Sequence, residues 1–218
     1  MRVPLFIDFS GRNVLIIGGG AVATRRALKF LKAGANIRVI GLSISEELIR
    51  LSREGKVEVI VGDAGDDELL RRNMAWADLV VIATNDPGVN EKVRNVAREM
   101  RKLFNDATNA EETEVVVPFE TEVNGLRIAV TTEGLSGVVA RRALKRIREV
   151  IEGDTELMNM ARVWYAVKHE IKSSVGDVKV RLKLYFDLDS DEKFNELARK
   201  GLVREALDYV RKKIRAYS

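Results

Sequence analysis

Residues 13–31 read NVLIIGGGAVATRRALKFL, and the junction at Gly18–Gly20 constrains the fold more than any other stretch. Asn13–Ile17 is a short, charge-free run rich in branched aliphatic residues, the pattern of a strand buried on both faces. After the glycines, Val22, Ala23, Arg26, Ala27, Phe30 and Leu31 recur at helical spacing, and Gly34 stands where that helix should stop. A strand that runs into a helix through a bare turn is the first half of a βαβ unit, whose second strand must lie parallel to the first.

The following residues extend that pattern. Ile37–Ile40, Val57–Val61, Leu79–Ala83 and Leu103–Asn105 read as further strands. Between them, Ser43-x-x-Glu46 matches a capping box that opens a helix ending near Gly55. Asp66–Arg72 and a segment from Pro87 or Gly88 to Lys102 read as two more helices. The alternation predicts an α/β fold with a Rossmann-like parallel sheet over residues 1–112. The pattern then changes. Val115–Glu122 and Leu126–Thr131 flank Asn124-Gly125, a two-residue hairpin signal, and Ser136 is placed to cap a helix running to about Ile151. Residues 113–152 thus form a hairpin-plus-helix segment, and 153–218 a helical C-terminal domain. In the latter, Leu157, Met160, Ala161, Trp164 and Ile171 share one predicted face. Val178–Phe186 fits strand alternation and helical spacing, and helix is preferred. Ser190 is expected to cap the next helix, Gly201 to end it, and Leu202–Ala216 to form the last.

Composition narrows the chemistry. The chain has no cysteine and a single histidine, His169, so thiolate and His-cluster metal sites are not expected. No apolar run approaches the roughly 18 residues of a membrane span, and MRVPLFIDF does not read as a signal peptide. A soluble cytoplasmic protein without membrane association is expected. Net charge is +4 with both signs interspersed, which does not point to nucleic acid. The local exception is RRALKRIR, residues 141–148, with five basic residues and no acid. It reads either as a solvated helix face or as a landing strip for an anionic ligand.

Gly18-x-Gly20-x-x-Ala23, between the first strand and the first helix, is the dinucleotide fingerprint in its required context. Gly18 allows the tight turn, Gly20 removes a Cβ that would block a pyrophosphate, and Ala23 lets helix and sheet approach. Ala21 and Val22 open the helix, whose free N–H groups and partial positive charge favour phosphate. The usual acidic residue at the end of the second strand is missing; Gly41, Leu42 and Ser43 stand there. Ser43 either bonds a ribose oxygen or is spent on its cap, so NAD and NADP both remain open. Ala83, Thr84 and Asn85 end the fourth strand, where strand C-termini line the ligand crevice, and they also read as a cap for the next helix.

Taken together, LFIDFSGRNVLIIGGG with its extension GGGAVATRRA, the segment ATNDPGVNEKV, and EVVVPF through LRIAVTTEGLSGVVARRALKRI resemble the precorrin-2 dehydrogenase/sirohydrochlorin ferrochelatase family, the siroheme synthase module. The likeness spans residues 1 to about 150. It implies NAD-dependent oxidation of precorrin-2 to sirohydrochlorin, in some members followed by insertion of ferrous iron. It also implies a homodimer held through residues 113–152, and cofactor contacts at Gly18, Gly20, Ala21, Val22, Leu42 and Ser43. The tetrapyrrole substrate carries many carboxylates, for which Thr132, Ser136, Arg141 and Arg142 are candidate partners.

The chain departs from the family where the chemistry is expected. The family's Asn-x-x-Asp-Ala segment appears here as Asp106-Ala-Thr-Asn109-Ala110, so an amide occupies the carboxylate position. An amide is no general base. Either Asp106 takes over, or the proton leaves to water while Asn109 orients the ring, or the protein binds dinucleotide without turnover as a regulatory module. Gly137 replaces a family proline, which loosens a helix start.

Overall fold

The computed structural model describes residues 2–217. They fold as two units, one comprising the chain up to Pro118 together with Thr131–Gly137, the other Phe119–Val130 and the chain from Val138 onward.

The first unit is a five-stranded parallel sheet of β1 (Asn13–Ile17), β2 (Asn36–Gly41), β3 (Glu58–Val61), β4 (Leu79–Ile82) and β5 (Leu103–Asp106). Their order is β3-β2-β1-β4-β5, the doubly wound Rossmann arrangement. Four helices intervene: α1 (Ala21–Lys32), α2 (Glu46–Arg53), α3 (Asp67–Trp76) and α4 (Pro87–Glu99). Alternation along β1 explains the layers. Val14 and Ile16 pack with Ala23, Ala27 and Phe30 of α1 and with Leu48 and Leu51 of α2. Leu15 and Ile17 pack with Leu70 and Met74 of α3 and Val93 of α4. Because both faces are covered, the strand tolerates no charge, and each fully buried aliphatic side chain contributes about 1.5–3 kcal/mol.

Several boundaries differ from the sequence expectation for identifiable reasons. The cap of α2 is Ser45, whose hydroxyl accepts from Leu48 N, so the Ser43 capping box does not form. Helix α3 runs on to Trp76, and α4 stops at Glu99. Val115–Pro118 does not join the hairpin. Val115 N bonds Phe104 O at 2.9 Å, and Val115 and Val117 pack on the sheet core.

In the second unit, β6 (Phe119–Val123) and β7 (Leu126–Val130) pair antiparallel. Asn124 and Gly125 both have positive φ, 47° and 88°, as a type I′ turn demands. Then come α5 (Gly137–Gly153), α6 (Thr155–Ser174), α7 (Val178–Asp189), α8 (Glu192–Arg199) and α9 (Val203–Tyr217). The ambiguous Val178 segment is helix because Asp177 caps it, accepting from Lys179 N and Val180 N. Along α6 the buried line is Val163, Val167 and Ile171; Leu157 is exposed and Trp164 half-buried, edge-on to Phe194 at 5.0 Å. Asp191, not Ser190, caps α8. Burial raises the pKa of the Asp191 carboxyl, but hydrogen bonds from Lys213, Tyr209 and Phe194 N outweigh it and hold the group at about 2. That charge ties α8 to α9, with Lys213 Nζ at 2.5 Å and Tyr209 OH at 2.7 Å.

Candidate functional site

In the first unit, a cleft of about 980 Å³ opens at the carboxyl ends of the strands. Its floor is the glycine turn. Gly18 has φ +111°, and a Cβ there would lie 2.3 Å from Ala83 O. A Cβ on Gly19 would lie 2.1 Å from Ser43 O, and one on Gly41 would lie 3.0 Å from Gly19 N. Gly20 is different: an added Cβ meets no protein atom within 4 Å, so its missing side chain leaves space in the cleft itself. Gly20 also serves as N-cap of α1 without any side-chain hydrogen bond, and no acidic residue stands in the first turn. The helix therefore offers unpartnered backbone donors and a partial positive charge beside empty space, which fits a diphosphate.

Side chains lock this turn in place. Thr24 Oγ1 donates to Gly20 O at 3.0 Å and receives the Ser45 hydroxyl at 2.8 Å, linking the cap of α2 to the glycine loop. Since Ser45 does the capping, Ser43 stays exposed on the cleft wall, its hydroxyl not used in the cap of α2. Gly18, Gly20, Ala21, Val22, Leu42, Ser43, Ala83, Thr84 and Asn85 all line the cleft. Ala23, grouped by the fingerprint with the cofactor-binding residues, does not; it is fully buried and packs between α1 and the sheet, out of reach of the cleft. Arg26, one turn beyond Val22, is partly buried with its Nε unpartnered. Burial, aided by the Arg25 charge, lowers its pKa, and the residue is not part of the cleft lining.

Asp86 is the cap of α4, its Oδ1 accepting from Gly88 N and Val89 N. The Thr84 hydroxyl donates to Asn90 Oδ1 at 2.6 Å, and Asn90 Nδ2 donates to Thr84 O and to Thr108 Oγ1. Buried Asn90 thus joins the cleft wall to the loop after β5. The quoted ATNDPGVN segment contained it, but only the fold shows which two strands it joins.

At the end of β5, where that loop begins, the Asp106 side chain is fully buried and paired with Arg94 at 2.6 Å. Its Oδ1 accepts from Thr108 N, Thr108 Oγ1 and Asn109 N. Asn109 is half-buried, and its Oδ1 accepts from Glu111 N and Glu112 N. Beside this loop lies the turn before α5, where Gly134 (φ +106°) packs so close to Ala110 that an added Cβ would sit 2.6 Å from the Ala110 methyl. The Thr132 hydroxyl is spent within that turn, accepting from Ser136 N and donating to Ser136 O. Arg141 and Arg142 belong to the second unit and are exposed on α5. A cavity of about 1130 Å³ lies in that unit among Asn124, Gly125, Met158, Trp164, Tyr165 and Lys168, without the strand-to-helix turn that opens α1. Among the described residues, no group of three or more His, Asp or Glu side chains is placed to hold a metal ion, and no helix is long and apolar enough to cross a membrane.

A family model described as "Putative NAD(P)-binding" matches residues 5–119. A protein named "Putative precorrin-2 dehydrogenase" from Methanocaldococcus jannaschii is 28% identical over 202 residues, covering 91% of this chain and 95% of its own. A solved structure titled "SirC, precorrin-2 dehydrogenase" aligns with a TM-score of 0.71 at 26% identity, over 96% of this chain and 99% of the other. The siroheme synthase of Actinobacillus succinogenes is 29% identical over 185 residues, 85% of this chain, but the match spans only 37% of that longer protein.

Proposed function

The chain belongs to the family described as "Putative NAD(P)-binding", and from that premise we propose that it oxidises precorrin-2 to sirohydrochlorin with NAD, in siroheme synthesis. The observation that carries this reading is the open space at Gly20 beside the uncapped start of α1, in a chain that matches dehydrogenases along nearly their whole length. Bound NAD supplies the hydride acceptor. The chain's own work is to hold and orient: backbone N–H groups of Ala21 and Val22 for the diphosphate, Ser43 for the adenosine half, and Thr84 and Asn85 for the opposite half.

Oxidation also releases a proton. Asp106 already accepts three hydrogen bonds and one ion pair, so it is a positioning residue that shapes the loop presenting Asn109. The Asn109 amide donor, with its oxygen spent on Glu111 and Glu112, orients the ring while the proton leaves to water. Arg141 and Arg142, exposed on α5, are assigned to substrate carboxylates; Thr132, whose one hydroxyl proton goes to Ser136 O, shapes the turn that presents Ser136. Residues 113–152 form the dimerisation segment: the hairpin strands pair only with each other among the described residues, and α5 exposes Val138, Val139 and Val150. Sedimentation equilibrium should return twice the chain mass, and a monomer would remove the dimer.

Anaerobic incubation with precorrin-2 and NAD should yield sirohydrochlorin and NADH in equal amounts; neither appearing would leave a dinucleotide-binding module without turnover. Asp106→Asn keeps the acceptor oxygen, and its kcat should fall by less than about tenfold with an unchanged pH profile. A general base would instead cost roughly 10²–10⁴-fold and remove a limb of that profile.

A further inference from the structure

The cleft has an adenosine end and a nicotinamide end. With the diphosphate at Gly20–Val22, the strand order puts the adenosine half toward the ends of β2 and β3, where ribose selection occurs in this architecture. The selecting acidic residue normally ends β2, and here Leu42 and Ser43 stand in its place. The next strand changes the picture. Gly62 N bonds Gly41 O at 3.2 Å, which carries the end of β3 alongside the end of β2 and sets Asp63 in the cleft wall. Asp63 is exposed; its Oδ1 accepts from Gly65 N at 2.7 Å, and Oδ2 has no partner among the described residues. Among the described residues it is the one charged side chain lining that end; the other in the whole lining is Asp86, and no described lysine or arginine lines the cleft. Lys92, on the same side of the sheet, is directed to Gly65 O at 2.7 Å and Asp67 at 3.5 Å. Arg25 is exposed on α1 and lines no part of the cleft.

We propose that Asp63 selects NAD against NADP, replacing from the third strand the acidic residue absent from the second. The reasoning rests on the dinucleotide reading above. Oδ2 is an acceptor with no donor of its own, suited to a ribose hydroxyl or the adenine amine. A 2′-phosphate brought to the same wall meets a carboxylate and no cation, a like-charge contact with nothing to offset it.

The test is calorimetric titration of the purified chain with NAD and with NADP, at fixed ionic strength, for the parent and for Asp63→Asn and Asp63→Ser. Both variants keep an oxygen to receive Gly65 N–H, and circular dichroism checks their fold. The parent should bind NADP at least tenfold more weakly than NAD. Each variant should shrink that ratio at least fivefold, chiefly by tightening NADP. A parent that binds both equally, or variants that shift the ratio less than fivefold, overturns the assignment while leaving dinucleotide binding intact. Failure of the parent to bind either ligand overturns the dinucleotide reading itself, and Asp63 falls with it.

Discussion

Replacing Gly18 with alanine is expected to damage both the fold and dinucleotide binding, whereas replacing Gly20 should damage binding alone. At Gly18 the new methyl carries two penalties. The backbone at φ +111° is strained for any L side chain, and the Cβ would press into Ala83 O at 2.3 Å. Strain of about 1–3 kcal/mol and overpacking of about 1–3 kcal/mol together reach roughly 2–6 kcal/mol. The clash is with backbone at the end of β4, so relief must move a core strand. At Gly20 the φ is −83° and the methyl meets no protein atom. Stability should change by less than about 1 kcal/mol, yet NAD affinity should fall at least tenfold, about 1.4 kcal/mol. Urea melts and NAD titration of both variants separate the two effects. A Gly20→Ala protein that binds NAD as tightly as the parent would mean that the diphosphate does not pass over this residue.

Arg94→Ala should be the most destabilising single change near the loop after β5. It leaves the Asp106 carboxylate, fully buried, with hydrogen bonds but no counter-charge. Breaking such a pair costs about 3–5 kcal/mol, and at about 2–4 °C per kcal/mol for a chain of this length the melting temperature should drop by roughly 6–20 °C. The double variant Arg94→Met/Asp106→Asn removes both charges and keeps the acceptor for Thr108 and Asn109. It should recover most of the loss, giving a coupling of at least about 2 kcal/mol. A thermal scan in which Arg94→Ala melts within two or three degrees of the parent would show that the pair contributes no more than an exposed one.

The sheet was legible because β1 and β4 carry uninterrupted apolar runs, which both covering layers of helix require. The helix starts were less legible because neighbouring residues compete for each cap. Ser43 and Ser45 both precede a helical pattern. Ser45 captures Leu48 N because Gly19 O already holds its backbone N–H, a contact made across more than twenty residues. Asp191 displaces Ser190 for a similar reason, since Lys213 and Tyr209 reach it from α9. In the site, Gly18 and Gly20 were readable from spacing. Gly19 was not, because what it accommodates is the Ser43 carbonyl from another loop. Asp63 could not be read because its meaning depends on two strand ends lying side by side; Asp106 stood out in the sequence, but its burial and its arginine partner are tertiary facts.

The path of the chain has a practical corollary. It leaves the sheet unit at Pro118, comes back for Thr131–Gly137, and departs again, so three covalent stitches join the halves. No single cut can release an intact sheet unit. A truncation after Pro118 discards the strap that seats Gly134 on Ala110, and a nick in the hairpin severs neither half from the other. Anyone dissecting this protein will need a hairpin-bypassing splice from Pro118 to Thr131 rather than a stop codon.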